Sequence, residues 1–179
     1  RRLFTDSLAE LHPQYDADVA LLKRPFRSSG YHTTLTGGMV HPFRDSLSYA
    51  LALLDDAADR EAAAGGRAGG RAESSDPADL IRRAEAVIGA VLAHQDTAPT
   101  NRTYGIWPYH YEEPLSQMDP PDWNWADFLG KVLLAVALRH RGRLEEATAR
   151  AVDQAVYHAA PSIRRRNMGP PYTNIAIMG

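Results

Sequence analysis

The residues most suited to chemistry lie together between Tyr104 and Trp125, a segment that holds every tryptophan of the chain. It runs Tyr104-Gly105-Ile106-Trp107-Pro108-Tyr109-His110-Tyr111-Glu112-Glu113, and it closes on Asp122-Trp123-Asn124-Trp125. Asp119 and Asp127 stand within and beside it. Flat aromatic rings on a loop offer apolar faces to sugar C–H groups, while neighbouring carboxylates and amides hydrogen-bond sugar hydroxyls. Trp107, Tyr109, Trp123 and Trp125 are the candidate stacking residues, and Asn124 is a candidate hydrogen-bonding residue. The plain alternative is a long loop held down by its own aromatics.

Two reactions fit this residue set. Hydrolysis of a glycosidic bond needs two carboxyl groups, one as acid and one as base or nucleophile. Asp127, Asp122 and Glu113 are the candidates. Asp122 reads equally well as a helix-start charge favoured by the macrodipole, worth ~0.3–1 kcal/mol. Elimination next to a uronate carboxylate needs a Tyr or His base and a group that neutralises the acid. His110 and Tyr111 are the candidates for that role. Arg44, Tyr172 and Asn174 add further binding groups: Arg44 and Asn174 for hydrogen bonds, Tyr172 for stacking.

Other chemistries are weaker. Asp55-Asp56-Ala57-Ala58-Asp59 matches the DDxxD pattern that holds magnesium diphosphate in class I terpene synthases, and Asp55 and Asp59 share a helical face. A solvated helix end explains the same residues. No zinc-like ligand spacing, phosphate loop or nucleophile elbow occurs, so the expected site has no metal or cofactor. Arg164-Arg165-Arg166 is a basic cluster able to attract an anionic sugar.

Composition bounds these readings. Charged residues make up 23 % of the chain and the net charge is -2, which argues against a nucleic-acid partner. No apolar run reaches the ~20 residues of a membrane helix. Without cysteine there is no disulfide or thiolate chemistry, and compartment and oligomeric state stay open.

The elements that position the segment are helices. Leu3 to Leu22 is expected to be helical, although Pro13 interrupts it. Arg24 to Pro42 reads as irregular or short-stranded, with Tyr31 to Thr36 β-prone. Leu47, Leu51 and Leu54 give a helical stripe over Pro42 to Ala64. Residues 65–75, rich in glycine, read as a flexible connector. Asp76-Pro77-Ala78-Asp79 has the cap and first-turn chemistry of a helix start, and Leu80, Ala84, Val87, Ile88, Val91 and Leu92 carry the stripe to His94. The third helix is expected from Pro120 to Arg141, which puts Trp123 and Asp127 one turn apart on one face. The fourth runs from Leu144 to Ala160, stopped by Pro161, and a loop follows to Tyr172. The fold class is all-α, built of antiparallel helical hairpins in a single domain.

Long aromatic loops on one side of helical hairpins and short turns on the other resemble the α/α-toroid carbohydrate-active enzymes, the six-hairpin glycoside hydrolases and several polysaccharide lyases. The residues that carry the resemblance are Trp107 to Tyr111, Asp122 to Phe128 and Pro170-Pro171-Tyr172-Thr173-Asn174. It implies a glycan-cleaving cleft on the face of the long loops, with a carbohydrate substrate and a hydrolase somewhat ahead of a lyase. The apolar run at Ile175 to Met178 adds the expectation that residues 1–179 are the N-terminal part of a larger toroid. A non-catalytic helical carbohydrate- or protein-binding domain and a terpene synthase-like magnesium enzyme are the alternatives.

Overall fold

The computed structural model describes residues 7–27, 30–64 and 76–166. The connector expected at residues 65–75 lies outside the described residues, as does the loop expected over residues 162–172 from residue 167 on, while its first part is helical. The fold is all-α with two small antiparallel ribbons. A single turn of helix, α1 (Leu8–Leu11), passes into a 3-10 turn at His12–Gln14. Strands β1 (Tyr15–Asp16) and β2 (Leu21–Leu22) then pair. The expected helix through Leu22 is therefore cut short. Pro13 has no N–H to continue it, and the Asp16 carboxylate takes the Asp18 N–H at 3.1 Å, which favours a turn. A second ribbon joins β3 (Arg24–Pro25) to β4 (Met39–Val40), as the short-strand reading of this stretch expected. Tyr31 to Thr36 forms no strand.

Four long helices make the core. In α2 (Phe43–Ala64) the stripe of Leu47, Ala50, Leu51 and Leu54 is buried, and Tyr49, Leu53 and Ala57 are buried as well. This helix therefore packs on more than one side. In α3 (Pro77–Leu92) the Asp76 carboxylate accepts the Ala78 N–H at 3.1 Å, Pro77 sits where no N–H is needed, and Leu80, Ala84, Val87, Ile88 and Val91 are buried. Helix α4 (Trp125–His140) begins later than the expected Pro120. Asp122, Trp123 and Asn124 thus precede it, and the one-turn relation of Trp123 to Asp127 does not hold. Helix α5 (Glu146–Arg166) buries small residues, Ala149, Val152, Ala155, Ala159 and Ser162, which lets it close on α4.

Pro161 lies inside α5 rather than at its end. The side chain is exposed, and the next residue anchors the helix: Ser162 Oγ donates to the Tyr104 carbonyl at 2.5 Å. That contact and the packing outweigh one lost backbone bond.

Helices α2 and α3 form one hairpin and α4 and α5 another. The hairpins lie side by side, α2 against α4 and α3 against α5. Phe43 at the start of α2 meets His94 just past α3, and Arg166 at the end of α5 meets Asn124 just before α4. These contacts fall at one end of the bundle, the end that residues 93–124 cover. The opposite end is closed by a 3-10 turn, Arg141–Arg143, and by an Arg143–Glu61 bridge of 2.8 Å.

Candidate functional site

The long loop has two halves. The first is fastened to the core. Gln95 Nε2 donates to the Gly105 and Ala155 carbonyls at 3.2 and 3.0 Å. The Asp96 carboxylate gathers the Ala98 N–H, the Asn101 amide and the Thr103 hydroxyl. Gly105, at φ +87°, passes so close to α5 that a Cβ there would lie 2.2 Å from the His158 carbonyl oxygen. Trp107 is 0 % exposed, and its indole N–H donates to the Val91 carbonyl at 3.1 Å. Trp107 is a core anchor and has no free face for a sugar, which corrects its reading as a stacking residue.

The middle of the loop pairs with the chain entering α2. Phe43 N–H donates to the Tyr109 carbonyl, and Tyr111 N–H donates to the His41 carbonyl. His41 stands between two carboxylates. Its Nδ1 is 2.5 Å from Glu112 Oε1, and its Nε2 is 3.3 Å from Asp16 Oδ2. Burial pushes the Glu112 carboxyl up, but bonds from the His41 backbone and ring outweigh it and bring the carboxyl below its usual range. The His41 bond, with help from the Asp18 N–H and Lys23, does the same for Asp16. An open cavity of about 630 Å³, lined by Tyr15, Asp16, Lys23, Pro25 and Met39 among others, borders this bridge.

Glu113 is fully buried. One oxygen accepts the Thr34 N–H and hydroxyl at 2.5 and 2.7 Å. This corrects its reading as an acid or base open to substrate: it ties the loop to residues 33–34. His110 is half-buried against Phe26 at 5.5 Å, and burial lowers its pKa, which disfavours the imidazolium. Tyr111 is exposed and lies between His41 and His94, with centroids 6.1 and 5.2 Å away.

The second half of the loop carries a ladder of rings. Tyr31 meets His32 at 3.9 Å, His32 meets Tyr109 at 6.0 Å, Tyr109 meets Trp125 at 4.1 Å, and Trp125 meets Phe128 at 5.4 Å. Arg44 and Lys131 both stand over the Phe128 ring, at 4.7 and 5.6 Å. His32 Nδ1 holds the Pro120 carbonyl at 2.6 Å. One carboxyl, Asp122, is bonded to this ladder, and a second, Asp127 on α4, lies close enough to feel its charge. Asp122 accepts the Tyr109 hydroxyl at 2.7 Å and the Asn124 N–H at 2.9 Å. Asp127, 3 % exposed, is held above the usual carboxylate range by burial, with Asp122 adding to the shift and Arg166 opposing it.

Trp123 leaves the ladder, its indole N–H donating to the Arg102 carbonyl at 2.9 Å. Asn124 Oδ1 accepts the Arg166 Nε–H at 3.1 Å, so that acceptor is already engaged. Tyr172 and Asn174 lie outside the described residues. Thus Tyr109, Trp125, Asp122, Asp127 and Arg44 come together, while Trp107, Trp123 and Glu113 serve the loop itself. Tyr31, His32, Phe128 and Lys131 complete the ladder without having been assigned to a sugar platform from sequence. Phe128 follows Trp125 by three residues, a helical spacing that signals a shared face. Nothing in the spacing of Tyr31, His32 or Arg44 signals their place.

Four buried polar atoms of this end have no hydrogen-bond partner among the described residues: His110 Nδ1, Glu113 Oε2, Trp125 Nε1 and Asp127 Oδ2.

The DDxxD segment faces the opposite end of the bundle. Asp55 binds Arg139 at 2.5 Å and His140 at 2.8 Å, and Asp56 binds Arg60 at 2.9 Å. These carboxylates brace helices, and no group of three or more His, Cys, Asp or Glu side chains able to hold a metal occurs among the described residues. No helix of the described residues is long and apolar enough to cross a membrane.

A family model described as "Domain of unknown function (DUF8769)" matches residues 71–179, which include the loop, α4 and α5. No curated protein and no solved structure matches the chain.

Proposed function

We propose that this chain, which belongs to the DUF8769 family, forms a wall of a glycan-cleaving site of the glycoside hydrolase type. The observation that carries the reading is the ring ladder with Asp122 bonded to Tyr109 and Asp127 within reach of the Asp122 charge. Aromatic rings in edge-on and tilted contact supply apolar area for sugar faces. Asp127 takes the acid's role toward the departing glycosidic oxygen: burial raises its pKa, the direction that favours a proton donor. Asp122, oriented by the Tyr109 hydroxyl, is the second carboxyl, which either activates water or attacks the anomeric carbon. Two like-oriented hairpins side by side, with the long loop at one end, suit a toroid repeat with its cleft on that end.

A lyase reading draws on Tyr111, exposed between His41 and His94. In that case Tyr111 takes the proton next to a uronate, and the product carries a carbon–carbon double bond.

The full-length protein is incubated with a panel of neutral and acidic glycans. Release of reducing ends without an ultraviolet-absorbing unsaturated product is expected, and Asp127→Asn lowers the rate by about 10²–10⁴. Unsaturated product from the same panel turns the assignment to the lyase. No product and no binding to any glycan overturns both.

A further inference from the structure

The far end of the ladder, at Tyr31 and His32, is built differently from the rest. Tyr31 is its most exposed ring, 67 % open, and lies edge-on to His32 with centroids 3.9 Å apart. His32 has φ +63°, in the left-handed region that residues with a side chain seldom adopt. That conformation costs free energy, and the chain is held there from two sides. His32 Nδ1 is bonded to the Pro120 carbonyl at 2.6 Å, and the buried Glu113 carboxylate takes the Thr34 N–H and hydroxyl just beyond. A carbonyl oxygen only accepts, so Nδ1 carries the proton of this bond. In the neutral ring Nε2 is then a lone-pair acceptor, its state set by the bond the other nitrogen makes. Nε2 makes no hydrogen bond among the described residues, and it is not one of the buried polar atoms that lack a partner. It therefore opens to solvent, on a ring flanked by Tyr31 and Tyr109. An oriented acceptor beside an exposed apolar face is what fixes a sugar in a site: the face packs on C–H groups, and the acceptor selects a hydroxyl.

We propose that Tyr31 and His32 form the outer subsite of the ladder, where Tyr31 takes the C–H face of a sugar and His32 Nε2 accepts a hydrogen bond from one of its hydroxyls. The proposal rests on the ladder binding glycan, and it names the contact made at this end. It also gives the left-handed backbone at His32 a purpose. The strained residue is the one whose ring must stand in a fixed orientation, with one nitrogen on the protein and the other on the ligand.

The test uses the full-length protein at about pH 8, above the ordinary imidazole range. The ligands are gluco-, xylo-, manno- and galacto-oligosaccharides and an oligouronate, and the one bound most tightly in calorimetry is carried forward. Proton–nitrogen correlation spectra of the imidazoles, with the His32→Asn spectrum to identify the signals, are expected to show the Nδ1–H form at His32. Binding is expected to move its Nε2 resonance toward the protonated side, the mark of an accepted hydrogen bond. Asn tolerates the left-handed backbone, and its amide N–H stands where Nδ1–H stood, so His32→Asn keeps the Pro120 bond and loses only Nε2. That variant is expected to hold its thermal midpoint and to bind about three- to tenfold more weakly, the worth of one hydrogen bond. Tyr31→Ala weakens binding as well. The Nε2–H form, an Nε2 resonance that bound ligand does not move, or full affinity in His32→Asn overturns the subsite and leaves the glycan reading standing. Failure of the wild type to bind any of the ligands overturns the glycan reading and this proposal with it. Should His32→Asn lower the thermal midpoint, the Nε2 resonance of the wild type decides the matter, since it is read on the native side chain.

Discussion

Replacing Asp127 by Asn separates the catalytic reading from a structural one. The carboxyl is 3 % exposed, and Oδ2 has no hydrogen-bond partner among the described residues. Burial raises its pKa. The native state therefore binds this proton more tightly than the unfolded chain does. Stability from the group is fully present below the ordinary carboxylate range and is lost as pH rises through the raised folded value. At neutral pH the folded protein either holds a proton that water would remove or keeps a poorly compensated buried charge. Asn is close to isosteric and has no charge to desolvate. An unpaired buried polar group costs about 1–3 kcal/mol, and more when charged. Asn keeps part of that cost, since its amide meets the same surroundings, so a net gain of about 1–2 kcal/mol at pH 7 follows. For a chain of this size that corresponds to a rise in Tm of roughly 2–8 °C. Denaturant unfolding between about pH 3 and 8, across the carboxylate range, is the assay. The two proteins converge at acid pH, where both side chains are neutral. The Asp127→Asn variant pulls ahead as pH rises, while its glycan cleavage falls. A variant less stable than wild type at pH 7 refutes the reasoning, because it shows that the ionised carboxylate has a stabilising partner.

Three further changes probe the frame that holds the site. Gly105→Ala puts a Cβ 2.2 Å from the His158 carbonyl oxygen at a positive φ, and a loss of about 2–6 kcal/mol in unfolding free energy is expected; an unchanged midpoint rejects the close approach of loop and α5. Trp107→Ala removes a fully buried ring and its hydrogen bond to the Val91 carbonyl, so it costs about 3–5 kcal/mol, and measured glycan affinity per folded molecule stays as it was. His41→Ala acts through pH: Asp16 and Glu112 sit below the usual carboxylate range because of His41, so their stabilisation is present above the unfolded carboxylate pKa and lost as pH falls through the folded values. Acid unfolding of the variant is expected to show a shallower pH dependence below about pH 4.5, and an unaltered acid limb counts against the bridge.

The helices were legible wherever one face is apolar and the ends carry their own signals. Asp76-Pro77 states a start in local chemistry, and Leu80 to Val91 states a buried side. Such evidence lies within a few residues. The start of α4 was misjudged because Pro120-Pro121 mimics a helix opening, whereas the chain uses Asp122 for a turn, its carboxylate taking the Asn124 N–H. The end of α5 was misjudged for the opposite reason. Pro161 is a local stop signal, and it is overridden by a distant contact, Ser162 with Tyr104, that no local pattern contains. The loop aromatics were legible as a group but not in their individual roles. A loop has no period, so composition cannot tell that Trp107 and Trp123 donate to backbone carbonyls while Trp125 packs at a tilt against Tyr109. Tyr31, His32 and Arg44 reach the ladder from far along the chain.

The division of the loop bears directly on how well a ladder can bind. Ordering a flexible segment on binding costs affinity, and a ladder of rings loses most if its spacing must be set at that moment. Here the spacing is set beforehand. Trp107 and Gly105 lock the first half to α3 and α5, the His41–Glu112 contact and the Glu113–Thr34 clasp fix the middle, and Trp125 and Phe128 stand on a helix. Glu113, fully buried, does more for the site as a tether than it could as an acid, because it draws residues 33–34 in beside Tyr31 and His32. The residues of catalytic type in the sequence thus divide into those that hold the loop and those proposed to meet a ligand. The second group is small enough for single substitutions to resolve: Tyr109, Trp125, Asp122 and Asp127, with Arg44 beside Phe128.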